Sequence, residues 1–456
     1  MRDAISSKLF TERVIQVAIF DIEPTDEIIP TQSGLALLGL LLSKTKLTER
    51  LNKLPTETGH EPEIPHSDIA KSYLGLLVQG KTEFDHIEAY RDDPFFKKCL
   101  GLEKVPSSSR LRQRLDESTE TWKDIVLEES ARLIKISGLE ITPCRGNYLP
   151  VDVDVCPFDN SDSKKEGVSH TYKGVDGYAP IFAYLGVEGY GINAQLREGK
   201  THCQKGTPQF LEETIDYVRK ITDKPLLFRL DSGNDSIDNI VVFKEAKVDW
   251  IIKRNLRRES KKRWIKLAKE EGELTTVHPG KKRYIGKTEI SKKEFDKPLN
   301  VVYRVSLKET DPDGQLLLSP EIEVDTYWTS LKDLSPKEAI KLYQKHGTSE
   351  QFHSEIKGEL DLERLPSGNF GTNDLVLHLG FFSYNVLRLV GQESLKRDDL
   401  PLRKKGQRRR VRTIIGNLVN LASKYVRHAR GYKLKFSRIN PWRIPFRRIY
   451  LSFDSI

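Results

Sequence analysis

Two short apolar runs, each carrying aspartate, constrain this chain more than any other feature. Residues 149–155 read Leu-Pro-Val-Asp-Val-Asp-Val, and residues 225–231 read Pro-Leu-Leu-Phe-Arg-Leu-Asp, with Ser232 and Gly233 next. Both are expected to be strands. A carboxylate at a strand's end is poorly solvated unless something cationic meets it there. Glu350 stands near the start of an expected helix that carries Lys357 two turns on. Two strands and one helix can bring Asp154, Asp231 and Glu350 around a pair of divalent ions, the chemistry of a metal-dependent phosphodiester enzyme.

Charge is distributed unevenly. The 456 residues carry a net +9, yet residues 401–456 hold sixteen Lys and Arg against the single acid Asp454. That segment is therefore +15 and the rest of the chain −6. A neutral-to-acidic body with a basic tail points to a polyanionic partner, and nucleic acid is the reading taken. Ile414, Leu418, Leu421 and Tyr425 punctuate the tail at helical spacing, so it is expected to fold. No apolar stretch approaches the roughly 20 residues of a membrane span, and the N-terminus shows no signal-peptide core. Cys99, Cys144, Cys156 and Cys203 are far apart, with no pair at zinc-ligand spacing. The expected setting is a reduced cytoplasm without membrane association.

Five segments follow from the patterning. Residues 1–145 are expected to be a helical DNA-binding region, with Ser33 capping one helix and Ser107-Ser108-Ser109 opening another. The second is basic and presents Arg110, Arg112 and Arg114. Residues 146–254 read as strands, then alternating helix and strand, which implies a mixed sheet flanked by helices. Residues 255–334 read as a β-rich insertion, with a hairpin signal at Pro312-Asp313-Gly314. Residues 335–395 return to helix. Ser335 and Glu338 form one expected capping box, and Thr348 with Gln351 a second just before Glu350. Residues 396–456 are the basic, helical C-terminal region. The fold class is α/β.

With these pieces placed, the chain resembles bacterial insertion-sequence transposases of the DDE type, which have an RNase H-like core. The group it looks most like carries Tyr, two residues, Arg, three residues, Glu, six residues and Lys after a β-rich insertion. The matching positions are Tyr343, His346, Glu350 and Lys357, with His346 where Arg is expected. Asp231-Ser232-Gly233 matches the second aspartate of the family, and Asp154-Val155-Cys156 the first more loosely. Asp152 competes for that role, because residues two apart in a strand share a face. Asp154 is preferred as nearer the strand's C-terminal end.

The resemblance implies a cut-and-paste transposase acting on double-stranded DNA, both the terminal inverted repeats of its element and the target. It implies a dimer on synapsed ends and a bacterial, nucleoid-associated cytoplasmic protein. Two Mg²⁺ ions, replaceable by Mn²⁺, would sit roughly 4 Å apart on Asp154, Asp231 and Glu350, with Asp152 as a further candidate ligand. Water would cut the element's end, and the freed 3′-OH would attack the target. Tyr343, His346 and Lys357 would position phosphates. Arg254, Arg257, Arg258 and Lys261 beside Trp264 would follow a DNA backbone, with Trp264 or Trp328 available to stack on an unpaired base. Arg403, Lys404, Lys405, Arg408, Arg409 and Arg410 would add salt-dependent affinity. The rival reading is a degenerate copy that binds element ends without cutting.

Overall fold

The two aspartate-bearing runs lie side by side. A computed structural model describes residues 20–55, 62–278, 280–311, 315–402, 406–429 and 431–456. In it Leu149–Val155 (β1) is followed by Ile181–Leu185 (β2), Tyr190–Gln195 (β3), Leu226–Leu230 (β4) and Asp249–Lys253 (β5). β1, β2 and β3 form an antiparallel meander, and β4 joins β1 in parallel with Leu230 opposite Val153. Parallel pairing needs a crossover, and the Thr207–Ile221 helix supplies it between β3 and β4. Ile237–Glu245, capped by Ser236, does the same between β4 and β5.

The expected β-rich insertion is present, but it is not a separate sheet. Glu273–His278 (β6), Lys281–Ile290 (β7), Leu299–Thr310 (β8) and Leu316–Thr329 (β9) continue the core sheet. The order is β3-β2-β1-β4-β5-β9-β8-β7-β6. The joint is antiparallel, Tyr327 facing Lys253 and Trp328 facing Ile252. The inner end of β9, residues 326–329, is buried where its outer half is mostly exposed, so one strand serves both parts. The expected turn at 312–314 lies outside the described residues.

Period-two alternation sorts the faces. Leu226, Phe228 and Leu230 join the large core, whereas Leu227 joins a smaller cluster with Ile251, Tyr327, Ile340 and Leu342 beneath the Pro336–Gln344 helix. The expected capping box at Ser335 and Glu338 is present. The described residues from Leu35 to Ile136 are largely helical and share the large core with the Phe370–Leu395 helix. Ser33 does not cap the Leu35–Ser43 helix; its hydroxyl bonds Ser423 at 2.6 Å.

The basic C-terminal region is only partly helical. Val411–Ile414 opens a short helix, but Lys424–His428 and Gly431–Lys435 form a hairpin, and Arg443–Asp454 is a helix again. Tyr425 therefore stands on a strand, its N–H donating to Ile28 O at 2.9 Å. Ile414 and Leu418 lie in the helical turns over 411–419, whereas Leu421 and Tyr425 stand beyond them, where the chain meets its N-terminal part. Among the described residues no helix is long and apolar enough to cross a membrane.

Candidate active site

β1 turns Asp152 and Asp154 to the same face, and their surroundings separate them. Asp152 is 2% exposed and saturated: Arg229 Nε donates to Oδ1 at 2.7 Å, Nη2 to Oδ2 at 2.6 Å, and His346 Nδ1 lies 2.9 Å from Oδ1. Burial alone would raise its pKa, but Arg229 and His346 together hold the carboxyl below the usual range. Asp154 is pushed up to about 6, by burial first and by the charge of Asp231 as well, against the opposing pull of His346. Its Oδ1 accepts from Val155 N–H at 2.8 Å, while Ser349 Oγ and His353 Nδ1 stand 3.5 and 3.8 Å from Oδ2.

Asp231 closes β4 and caps the short Ser232–Asn234 turn. Its Oδ1 accepts from Asn234 Nδ2 at 2.8 Å and from the Asn234 N–H at 3.3 Å. Asn234 is fully buried and held in turn by Asn239 Nδ2 at 2.8 Å. This chain of amides holds Oδ1, and Asp231 itself lines a cavity that Asp154 shares.

Glu350 lies in the first turn of the Ser349–Ser354 helix. The expected capping box at Thr348 and Gln351 is absent, because the helix continues out of a 3₁₀ turn over Lys345–Thr348 and needs no cap. It then widens into a π turn over Glu355–Glu359 that carries Lys357. Glu355 anchors this turn through a fully buried ion pair with Arg388 of the Phe370–Leu395 helix, and Arg388 Nη2 also donates to Tyr384 OH at 2.8 Å.

Asp154, Asp231 and Glu350 line one cavity of about 610 Å³, with Tyr343, His346 and Lys357 also on its wall. Asp152 is not part of that lining. His346 is buried; burial lowers its pKa, but the Asp152 hydrogen bond and the charges of Asp152 and Asp154 leave it raised overall. With Nδ1 committed to Asp152, Nε2 has no hydrogen-bond partner among the described residues. His353 is driven down to about 3, chiefly by burial, and is neutral. Lys357 Nζ donates to Pro157 O at 3.0 Å and pairs with Glu363 Oε1 at 2.5 Å. Tyr343 packs on Tyr327, ring centroids 4.8 Å apart.

The donors suit a hard divalent cation, being carboxylate oxygens, and the charge of Asp231 opposes the ionisation of Asp154. Among the described residues, no three His, Cys, Asp or Glu side chains stand close enough together to grip an ion as they are. The carboxylates share a cavity rather than a point.

The other sequence-derived positions divide by burial. Arg110 and Arg112 are exposed, whereas Arg114 is buried, its Nη1 donating to Ile64 O at 3.2 Å. Arg254 is buried over the Trp328 ring at 4.3 Å from its centroid and paired with Glu259, and Trp264 is 4% exposed with Nε1 bonded to Glu259. These three residues are packed into the protein, each hydrogen-bonded to internal partners. Arg257 and Arg258 line a second cavity of about 390 Å³ beside Trp328, and Lys261 is exposed. Arg408 lies over the Phe352 ring at 4.5 Å from its centroid, and Arg410 pairs with Glu359, so both brace the Glu350 helix; the Arg409 carbonyl accepts from Arg388 at 2.8 Å. Arg403, Lys404 and Lys405 lie outside the described residues.

Sequence reasoning missed the supporting residues Arg229, Asn234, Ser349, His353 and Arg388. It also missed Tyr172 and Lys173, which line the same cavity from a turn seventeen and more residues beyond β1. Arg229 alone left a signal, as a cation inside an apolar strand.

The family model described as Transposase DDE domain group 1 matches residues 25–455. Among curated proteins none matches. The cryo-EM structure of a piggyBac transposase synaptic complex with hairpin DNA aligns at 11% identity over 78% of this chain and 74% of that one. The TM-score is 0.37, a likeness too slight to carry weight. The family match runs through both aspartate strands, the inserted strands and the Glu350 helix, and the chain belongs to the DDE transposases of group 1.

Proposed function

We propose that this transposase cuts the ends of a DNA element and joins them to target DNA, using Asp154, Asp231 and Glu350 as its catalytic carboxylates. The observation that carries the reading is the convergence of these three, from two adjacent strands and one distant helix, on a single cavity. They would hold the divalent ions, Mg²⁺ or Mn²⁺, which when bound supply a nucleophile active near neutral pH and charge stabilisation at the leaving oxygen. Asp154 is the first carboxylate of this set, since Asp152 is consumed by Arg229.

The protein's own groups set the substrate's place. Asn234 orients Asp231, and Ser349 and His353 border the free oxygen of Asp154. His346, with Asp152 holding Nδ1, would add positive charge to the cavity wall when protonated, its Nε2 itself being buried. Lys357 supplies a second positive charge on the same wall. DNA would be met by the exposed cations, including Arg257, Arg258 and Lys261 near the sheet extension and Arg110 and Arg112 on the N-terminal helix.

A joining assay tests this reading against that of a plain nuclease. A duplex of the element's end, already nicked to leave a 3′-OH, is mixed with supercoiled plasmid and Mn²⁺. Covalent joining lost in Glu350→Gln supports the transposase. Cutting without joining points to a nuclease, and binding without either points to a degenerate end-binding copy.

A further inference from the structure

The cavity has a wall that the three carboxylates and the Tyr343–Lys357 segment do not provide. After β1 the chain forms a small sheet in which Phe158–Asp159 and Ser169–His170 both pair with Asp176–Tyr178. The turn between the last two strands carries Tyr172 and Lys173. It is tightly built: Thr171 N–H donates to Val175 O at 2.9 Å, Gly174 N–H to Thr171 O at 3.0 Å, and Thr171 Oγ1 to Val175 O at 2.8 Å. Gly174 has φ +81°, a conformation that suits glycine.

The turn is fastened to the catalytic strand. Tyr172 OH donates to Val155 O, the residue after Asp154, at 3.2 Å. The side chain nevertheless remains 65% exposed, so its edge is pinned while a face stays open. Burial of the hydroxyl and the nearby charges of Asp154 and Asp231 raise the phenol's pKa, and Tyr172 lines the same cavity as those carboxylates. Lys173 is exposed on the same wall, and its charge acts on Asp154 and His353. Lys357, by contrast, already has a carboxylate partner in Glu363.

An aromatic face open to solvent beside an exposed ammonium matches what single nucleic-acid strands bind: bases stack on the ring and phosphates meet the cation. We propose that the Tyr172–Lys173 turn is a DNA platform of the active site, on which Tyr172 stacks against a base next to the scissile bond and Lys173 pairs with an adjacent phosphate. This rests on the transposase reading above.

The test uses the full chain and element-end duplexes carrying 2-aminopurine at each position flanking the cut. Wild type should quench the fluorophore at one or two positions. Tyr172→Ala should abolish that quenching and raise KM roughly ten-fold, more than it lowers kcat. Tyr172→Phe keeps the ring and loses the hydroxyl bond to Val155, so it should still quench; a merely structural tyrosine would make Phe and Ala alike. Lys173→Gln should flatten the salt dependence of log K by about one charge, and Lys173→Arg should restore it. Unchanged quenching in Tyr172→Ala together with an unchanged slope in Lys173→Gln, in enzyme that still cuts, overturns the platform alone. If Tyr172→Ala fails to fold, Tyr172→Leu and the exposed Lys173→Gln carry the test. Wild-type protein that binds and never cuts overturns the underlying reading instead.

Discussion

Arg229 on β4 holds Asp152 on β1 by both carboxylate oxygens, at 2.7 and 2.6 Å, and of the two aspartates on that strand face only Asp154 lines the cavity. The pair is 3% and 2% exposed, and Arg229 also donates to Leu342 O at 2.8 Å, tying both central strands to the helix before the Glu350 segment. Asp154, two residues on, is left with its own backbone and a distant hydroxyl.

Asp152→Asn and Asp154→Asn should therefore differ in kind. The first leaves Arg229 buried without its counter-ion and should cost about 3–5 kcal/mol. The second removes a carboxylate whose ionisation the fold opposes and should leave stability intact or higher near pH 7 while cleavage is lost. Urea denaturation of both variants beside a cleavage assay checks the contrast. Equal destabilisation of the two would contradict the division of roles.

The Glu355–Arg388 pair should behave as a second buried lock. Arg388→Met leaves Glu355 unpaired beneath the π turn and should destabilise by about 3–5 kcal/mol. Replacing both residues, Glu355→Leu with Arg388→Met, should recover most of that loss, since the two are coupled. A double variant no more stable than the single would mean that the pair does more than compensate its own burial.

The joint between core and insertion has an acid-sensitive tie. Asp325 on β9 pairs with Arg304 at 2.5 Å and Lys253 at 3.1 Å; burial opposes its ionisation, but these partners hold its pKa below the usual value overall. A lowered carboxylate pKa gives stability that is complete above the unfolded value near 4 and is lost as pH falls through the folded value. Asp325→Asn should thus shrink the stability difference between about pH 6 and pH 3. Melting curves across that range that lie parallel to wild type would refute the assignment.

Divalent ion should stabilise the protein through the cavity carboxylates. Mn²⁺ at about 100 times Kd would add about 2.7 kcal/mol. The shift should vanish in Asp231→Ala and persist in Asp152→Asn, provided that variant folds. A melting shift that survives Asp231→Ala would place the ion elsewhere.

Much of the site was legible in the sequence because its carboxylates sit on elements with strong local signals. Leu149–Val155 and Leu226–Leu230 are strands rich in apolar residues, and Glu350 lies in the helical turn that the resemblance marks. What could not be read was partnership. Arg229 and Asp152 are 77 residues apart, and Arg388 reaches Glu355 across 33. Arg114, Arg254 and Arg410 show the same limit: a row of arginines reads as a DNA-facing surface, yet these spend their charge on carbonyls, tryptophans and Glu359. Tyr172 and Lys173 are silent as sequence because only the small sheet after β1 brings their turn back over Asp154.

The most direct measurement is cleavage of a labelled duplex containing the element's end, in Mg²⁺ and in Mn²⁺, by wild type and by Asp154→Asn, Asp231→Asn and Glu350→Gln separately. One metal-dependent cut by wild type, lost in each variant while end binding persists, is the predicted result. Cutting retained by any one of the three would contradict a single active site built from all of them.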